Sequence, residues 1–411
     1  MSINQEEIAN MTKNNKNIII GISAFYHDSS ASLIIDGNII AAVQEERFTR
    51  VKNDSNFPIN SINFICDNFN IKLSTISAIA YYEKPLLKFE RILETLHKNI
   101  PFGLKGYLDN IPSWIHQKLF IKKTIYSYLK SKGLSKKTPV FFPEHHLSHA
   151  ASAYYPSPFN DASILTIDGV GEWASLTISD GKKNKITVRR EIHFPHSLGL
   201  LYSSFTYFCG FKVNSGEYKL MGLASYGVKN AKETVSFKKI ITSHLIEIFP
   251  DGSFKMNQSF FSYQSSQKLF SEKKWEQLFS LKKRTPEGPI TNSYKNLALA
   301  IQEVLEDIVI KLVYTAKRTT HSDNLVLSGG VALNCVVNAK ILQKNIFKNV
   351  WIQPAAGDAG SSIGAALSVW HLAFNKTNNF IRKGDLDQMN GSLLGPKYSS
   401  DEVSLFIKNN N

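Results

Sequence analysis

The chain has 411 residues, 43% of them hydrophobic and 20% charged, and carries a net charge of +14. That length exceeds what one simple core serves, so two lobes are expected, and the apolar-to-charged balance is that of a globular protein. The longest apolar runs, such as Ile18–Ile22, are far too short to cross a bilayer, which argues against a membrane role.

Met1–Asn17 is polar and has no apolar signal-peptide core, so residues 1–16 are expected to form a disordered leader. Ile18–Ser23 predicts a strand that breaks into the small polar turn Ala24–Ser30. Ala31–Ile35 and Ile39–Gln44 flank Asp36-Gly37-Asn38, and Asp-Gly between two apolar runs predicts a hairpin. Residues 59–70 predict a helix with Ile62, Ile65, Cys66 and Phe69 on one face. Ser77–Tyr82 predicts another strand. Residues 83–138 hold Lys-rich helical segments broken by Pro101 and Pro112, an insertion in the first lobe. Val140–Pro143 predicts a strand that runs into a helix opening over Glu144–Ala151.

The opening pattern then recurs. Ala162–Ile167 predicts a strand, Asp168–Glu172 a turn, and Ala174–Ser179 and Ile186–Glu191 two strands around an Asp180-Gly181 turn. Two copies roughly 150 residues apart, a common domain size, suggest related lobes facing across a cleft. The boundaries expected are residues 17–160 for the first lobe and 161–376 for the second. The stretch 228–290 is the least patterned and predicts an insertion or cap. Ser293–Thr315 predicts an amphipathic helix, Asn324–Leu327 and Val350–Ile352 strands, and Ser361–Phe374 a helix of small residues.

Cys66, Cys209 and Cys335 stand apart, with no Cys-x-x-Cys, which fits a reducing cytoplasm and excludes a thiolate zinc site. The positive charge suits a phosphorylated or nucleotide ligand. Nucleic-acid binding would need a basic stripe or an aromatic-basic platform, and neither is present. Phe205–Phe211 and Phe260-Phe261 read as exposed aromatic stretches suited to a homodimer interface.

His145 and His149, four apart on one helix, can reach one ion. Asp168 and Asp358 each follow an apolar strand, where sites of open sheets collect. Two His and two Asp suit a divalent metal, with Fe(II) the first choice and Zn or Mn fitting as well. Each residue alone would also serve as an ordinary helix-start or turn residue. The turns at Asp28–Ser32, Gly169–Gly171 and Gly329-Gly330 let backbone amides approach an anion. Lys219, flanked by Gly216 and Gly222, could reach a phosphate with Glu217 orienting it. His27, in the first turn, is a natural general base for a hydroxyl.

Phe25–Ser32, Glu45–Arg50, Glu144–Ala150, Asp168–Glu172, Lys219–Ala224, Ser328–Asn334 and Pro354–Gly360 together resemble, in order, the nodulation-protein and antibiotic O-carbamoyltransferases. The resemblance implies an α/β fold, a duplicated actin-like (ribonuclease H-like, ASKHA) pair of lobes with a nucleotide and metal cleft between them. It also implies the reaction. Carbamoyl phosphate and ATP give a carbamoyl-adenylate in a separate C-terminal domain, and the first domain passes the carbamoyl group to a hydroxyl of a natural product or sugar. By position, His145, His149, Asp168 and Asp358 are implied as metal ligands and His27 as the residue beside the acceptor hydroxyl. Lys219, Gly329, Gly330 and Asn334 are implied as adenylate-pocket positions, joined by Gly169 and Gly171. Residues 377–411 resemble the linker into the second domain, with Ser399-x-x-Glu402 as a capping box. That domain is expected from a separate adenylate-forming chain or from a longer protein of which this is a piece, or to have been lost by truncation of the gene. The competing readings are a partner-dependent nucleotide-binding remnant and a sugar-kinase-like ATPase.

Overall fold

The computed structural model describes residues 16–100, 119–266, 268–375 and 386–410. Nearly all of the expected leader lies outside these residues, as do the Pro101 and Pro112 region and part of the linker.

The elements in chain order begin with strands β1 (Ile18–Ser23), β2 (Ser30–Ile35) and β3 (Asn38–Gln44), then helix α1 (Ile59–Asn68) and β4 (Ala78–Tyr81). Helices α2 (Pro85–Asn99) and α3 (Ile121–Leu129), β5 (Val140–Phe141) and α4 (His145–Tyr154) complete the first half. The second half opens with β6 (Asp161–Ile167), β7 (Ala174–Lys182) and β8 (Lys185–His193). Next come α5 (Leu198–Phe208), α6 (Glu217–Ala224), α7 (Lys232–Ile240), β9 (Ile246–Ile248), β10 (Phe254–Met256) and α8 (Glu272–Phe279). The chain continues with α9 (Asn292–Thr320), β11 (Asn324–Ser328), α10 (Cys335–Gln343), β12 (Asn349–Ile352), α11 (Asp358–Val369) and α12 (Ser400–Asn410).

Two five-stranded sheets share one topology. The first runs β3–β2–β1–β4–β5 and the second β8–β7–β6–β11–β12. In each, the first three strands in sequence pair antiparallel and the next two add in parallel. This is the duplicated actin-like α/β architecture, and it accounts for the recurrence seen in the sequence. The hairpin at Asp36-Gly37 forms as expected, with both residues at positive φ, 47° and 83°, as a two-residue primed turn requires.

The second hairpin turns elsewhere. Asp180 and Gly181 continue β7, and the chain reverses at Lys183-Asn184, with Lys183 at φ 55°. Gly181 serves packing instead, since a Cβ there would lie 2.7 Å from the Tyr154 ring. Residues 228–290 do not stand off as a cap. Phe237, Ile241, Leu245, Trp275 and Phe279 are buried in the second core. Much of the aromatic stretches is also interior. Phe205 and Phe208 are wholly buried against Trp275, and Phe261 is nearly so. Phe205 and Phe208 lie on the face of α5 turned to the core, while Tyr207, Phe211 and Phe260 are half-buried.

Helix α11 follows the second sheet in sequence but packs on the first. Ile363, Ala366 and Leu367 join β1, β2 and β4 in one core with Ala150 and Tyr154 of α4. Small residues make this contact close. A Cβ at Gly21 would sit 1.9 Å from the carbonyl oxygen of Ser362, and one at Gly364 would sit 1.8 Å from that of Ser148. Helices α4 and α11 therefore lie face to face, and each delivers functional side chains from its first turns. At the far end, Ser399 and Glu402 form the expected capping box, Glu402 N donating to Ser399 Oγ and Ser399 N to Glu402 Oε2.

Candidate metal centre and interlobe cavity

Three elements meet at one point. Helix α4 brings His145 and His149, one turn apart and both buried. Asp168 stands at the carboxyl end of β6, and Asp358 at the start of α11, just after β12. One ligand atom from each of these four residues lies within 4.8 Å of every other. His145 Nε2 is 2.9 Å from Asp168 Oδ2 and 3.1 Å from His149 Nε2. His149 Nε2 is 3.4 Å from Asp358 Oδ1.

The surroundings hold these ligands in place. Glu172 accepts from the backbone N–H of His145 (3.0 Å) and of Lys84 (2.7 Å), tying the start of α4 to the turn that carries Asp168. Its burial raises its own carboxyl pKa, against the pull of His145 and the donated backbone bonds. Ser361, one turn along α11 from Asp358, lies 3.2 Å from His149 Nδ1 and fixes that ring. Asp168 Oδ1 accepts from the Gly330 amide at 3.0 Å. His146 points away to Thr166 (2.7 Å), and burial beside His145 and His149 lowers its pKa to about 3, so it stays neutral.

The electrostatics show what this cluster requires. Burial alone would lower the His149 pKa, but hydrogen bonds and charge from Asp168 and Asp358 raise it to about 9. Burial opposes ionisation of both carboxyls, yet the facing histidines hold Asp168 well below the usual range and lower Asp358 too. Two buried carboxylates are thus balanced by imidazolium, a role a divalent cation fills with the same oxygen and nitrogen donors. The donor set fits such an ion. A metal would displace the His149 proton and, by neutralising Asp168 and Asp358, ease loss of the His27 proton, so affinity is expected to rise at least about tenfold per pH unit below pH 9 and to level off above. Calorimetry in two buffers of different ionisation enthalpy should find between one and two protons released per ion at pH 7, the first from His149 and a further fraction from His27. An affinity that ignores pH would contradict the cluster as described.

His27 lies beside the cluster in the β1–β2 turn. Its Nδ1 is 2.8 Å from Asp28 Oδ2, and Asp28 also accepts from Asn53 Nδ2 at 2.6 Å. This leaves Nε2 directed inward, 3.8 Å from Asp358 Oδ2. Burial would lower the His27 pKa, but Asp358, Asp28 and Asp168 raise it to about 9.

The cluster and His27 open on a cavity of about 990 Å³, with Tyr26, Asp28, Lys52 and Asn53 from the first lobe on its wall. From the second lobe, Gly169, Lys219, Gly330 and Asn334 line it as well. A Cβ on Gly169 would meet nothing within 4 Å, so the turn is open to a ligand there. Gly171 and Gly329 are not on this wall. Gly171 packs against His145, where a Cβ would come within 3.0 Å, and Gly329, at φ 91°, packs against Ile167 O. The expected anion-binding amides are largely committed: Gly171 N donates to Ala174 O, Gly329 N to Ala356 O and Gly330 N to Asp168. Asn334 caps α10 by accepting from Val337 N and donates to Gln302. Glu217 does not orient Lys219. It accepts instead from Ser203 Oγ and from the amides of Asn214 and Gly216.

Sequence reasoning missed Glu172 and Ser361. Glu172 had a signal, a carboxylate four residues after Asp168 in a glycine turn, and Ser361 lies three residues after Asp358 on the same helix.

Among the described residues, no helix is long and apolar enough to cross a membrane. In comparisons with known proteins, an uncharacterized protein of Synechocystis is 47% identical over 95% of this chain and 62% of its own length. Nodulation protein NolNO of Sinorhizobium fredii is 30% identical over 93% of this chain and 51% of its own length. The chain thus spans between half and two thirds of the length of these relatives. Among solved structures, full-length HypF in its phosphate- and nucleotide-bound form aligns with a TM-score of 0.45 at 12% identity, over 91% of this chain and 57% of that one. The (R)-2-hydroxyglutaryl-CoA dehydratase component A of Acidaminococcus fermentans aligns with a TM-score of 0.43 at 12% identity, over 86% and 98%. The family described as Carbamoyltransferase N-terminus matches residues 18–367, and this chain belongs to that family.

Proposed function

We propose that this chain transfers a carbamoyl group from a carbamoyl-adenylate, made from carbamoyl phosphate and ATP, to a hydroxyl of a small molecule. The observation that carries this reading is the placement of His27 Nε2 beside the four-ligand cluster, on the wall of the large cavity. A divalent ion held by His145, His149, Asp168 and Asp358, with Fe(II) the first choice, would supply Lewis-acid polarisation of the carbamoyl or phosphate oxygens.

The chain's own residues do the rest. Asp28 holds His27 through Nδ1, leaving Nε2 to take the proton of the acceptor hydroxyl. With Asp168 and Asp358 neutralised, Asp28 alone still raises the His27 pKa, which falls back toward neutral and lets the imidazole act as a base. The acceptor oxygen forms the new bond to the carbamoyl carbon, and the carbon–oxygen bond to the phosphate breaks. AMP departs with that electron pair and needs no proton, while the proton on His27 passes to solvent. Lys219, Gly169, Gly330 and Asn334 are the wall positions we assign to the adenylate. The adenylate would come from a further domain or a separate chain. The free cysteines suit a reducing, cytoplasmic setting.

The test is AMP release from synthetic carbamoyl-adenylate by the metal-loaded chain, with and without hydroxyl-bearing acceptors. Release that acceptor stimulates and chelator abolishes is expected; release indifferent to both would refute the reading. His27→Gln is expected to lower the stimulated rate by about a hundredfold or more while metal content stays unchanged. A His27→Gln protein with the native rate and pH profile would remove His27 from the chemistry.

A further inference from the structure

Four lysines on the cavity wall, Lys52, Lys212, Lys219 and Lys268, form no ion pair among the described residues. They come from four separate places: the segment after β3, the α5–α6 loop, helix α6 and the loop before α8. Lys52 Nζ stands 4.8 Å over the Tyr218 ring, so it reaches from the first lobe to the second. The other two cations of the wall are occupied. Lys283 pairs with Glu272 at 3.0 Å, and Arg284 donates to the carbonyls of Cys209 and Gly288.

The carboxylates of the same wall are mostly spoken for. Asp168 and Asp358 belong to the metal cluster, and Asp28 is held by His27 and Asn53. Glu217 is bound by Ser203 and two backbone amides. Glu287 alone among them has no such partner among the described residues.

A carbamoyl-adenylate carries a single negative charge, on its one phosphate. Lys219 answers that charge. Three exposed lysines then remain, and they outnumber the two wall carboxylates that still carry an unpaired charge, Glu287 and Glu217 with its neutral donors, in a cavity that must also admit the acceptor. Ammonium groups in excess of the carboxylates around a cavity favour an anionic occupant and repel a cationic one. Resting on the reading above, we infer that the acceptor is itself an anion: a hydroxyl compound bearing a phosphate or diphosphate, such as a nucleotide-linked sugar. Lys52, Lys212 and Lys268 hold that phosphate while its hydroxyl faces His27.

Binding to the metal-loaded chain tests this directly, with uridine diphosphate glucose and glucose 6-phosphate as anionic probes and glucose as the neutral one. The double variant Lys212→Glu/Lys268→Glu reverses two charges on the wall, and Lys136→Glu/Lys137→Glu makes the same change at exposed positions off the cavity. Millimolar or tighter affinity for the phosphate-bearing probes is expected, weakening steeply with salt and at least about tenfold in the cavity variant alone. Carbamoyl-adenylate affinity should fall by clearly less than that of the phosphate-bearing probes in that variant. Equal affinity for glucose, no binding of either phosphate-bearing probe, or equal loss in both double variants would overturn the inference. Loss of carbamoyl-adenylate binding with the phosphate probes unaffected would assign the lysines to the donor and overturn it too. Failure of the native chain to bind carbamoyl-adenylate would refute the transfer reading instead, and it is read separately from probe binding.

Discussion

Asp358→Ala is expected to abolish stoichiometric metal binding and to lower carbamoyl transfer by about a thousandfold, the scale of losing a group that stabilises developing charge. Asp358 is the point where three functions meet. Its Oδ1 lies 3.4 Å from His149 Nε2 and 3.7 Å from His145 Nε2, and its Oδ2 faces His27. Removing it takes one anionic ligand from the cluster and leaves His149 with Asp168 as its only remaining carboxylate. Asp358→Asn keeps the shape and deletes the charge. It is expected to fold with little change in Tm and still to lose the ion, which separates ligation from packing. Native metal content and rate in both variants would show that Asp358 is a helix-start residue and nothing more.

The second large effect lies away from the chemistry. Gly364→Ala is expected to destabilise the fold by about 3 kcal/mol or more and to weaken metal binding in whatever protein still folds. The added methyl would meet Ser148 O at 1.8 Å and Ser152 N at 2.7 Å, both backbone atoms of α4, and backbone cannot step aside by a change of rotamer. Helix α4 would have to move off α11. Ser148 adjoins His149, so that movement parts His149 from Asp358. Gly222→Ala is the control: a Cβ there meets nothing within 4 Å in helix α6, and a gain of about 0.5–1 kcal/mol is expected. Thermal unfolding with metal analysis on the same samples decides the matter. An unchanged Tm and full metal content in Gly364→Ala would mean the two helices are not packed this closely.

Much of this was legible in the sequence because its signals are local. The β1 strand, the Asp36-Gly37 turn and the His145/His149 pair each rest on spacing within a few residues, and each formed where expected. The duplication was legible because the same strand–turn–strand pattern occurs twice, and the two sheets now share one strand order. The misplaced features depend on distant partners. Asp180-Gly181 carries a turn signature, but Tyr154, far off in sequence, claims the space beside Gly181 and the strand runs on. The small residues of α11 were legible as such, but not α4 and β1 as the partners they pack against. The 228–290 stretch seemed unpatterned because its apolar residues are spread over short elements that become a core only when packed on α5 and α9. Of the lysines of the cavity wall, Lys219 was legible from its flanking glycines, whereas Lys52, Lys212 and Lys268 were not, because they come from loops that only the fold gathers.

The most direct test follows the carbamoyl carbon itself. Carbamoyl-adenylate labelled with carbon-13 would be given to the metal-loaded chain with a pool of hydroxyl-bearing, phosphate-containing acceptors, and the label followed by NMR. Appearance of the label as a carbamate ester on an acceptor oxygen, matched by AMP and lost after chelation or in Asp358→Asn, is the predicted result. Label recovered only as free carbamate or cyanate at a rate indifferent to metal, acceptor and Asp358 would contradict the account.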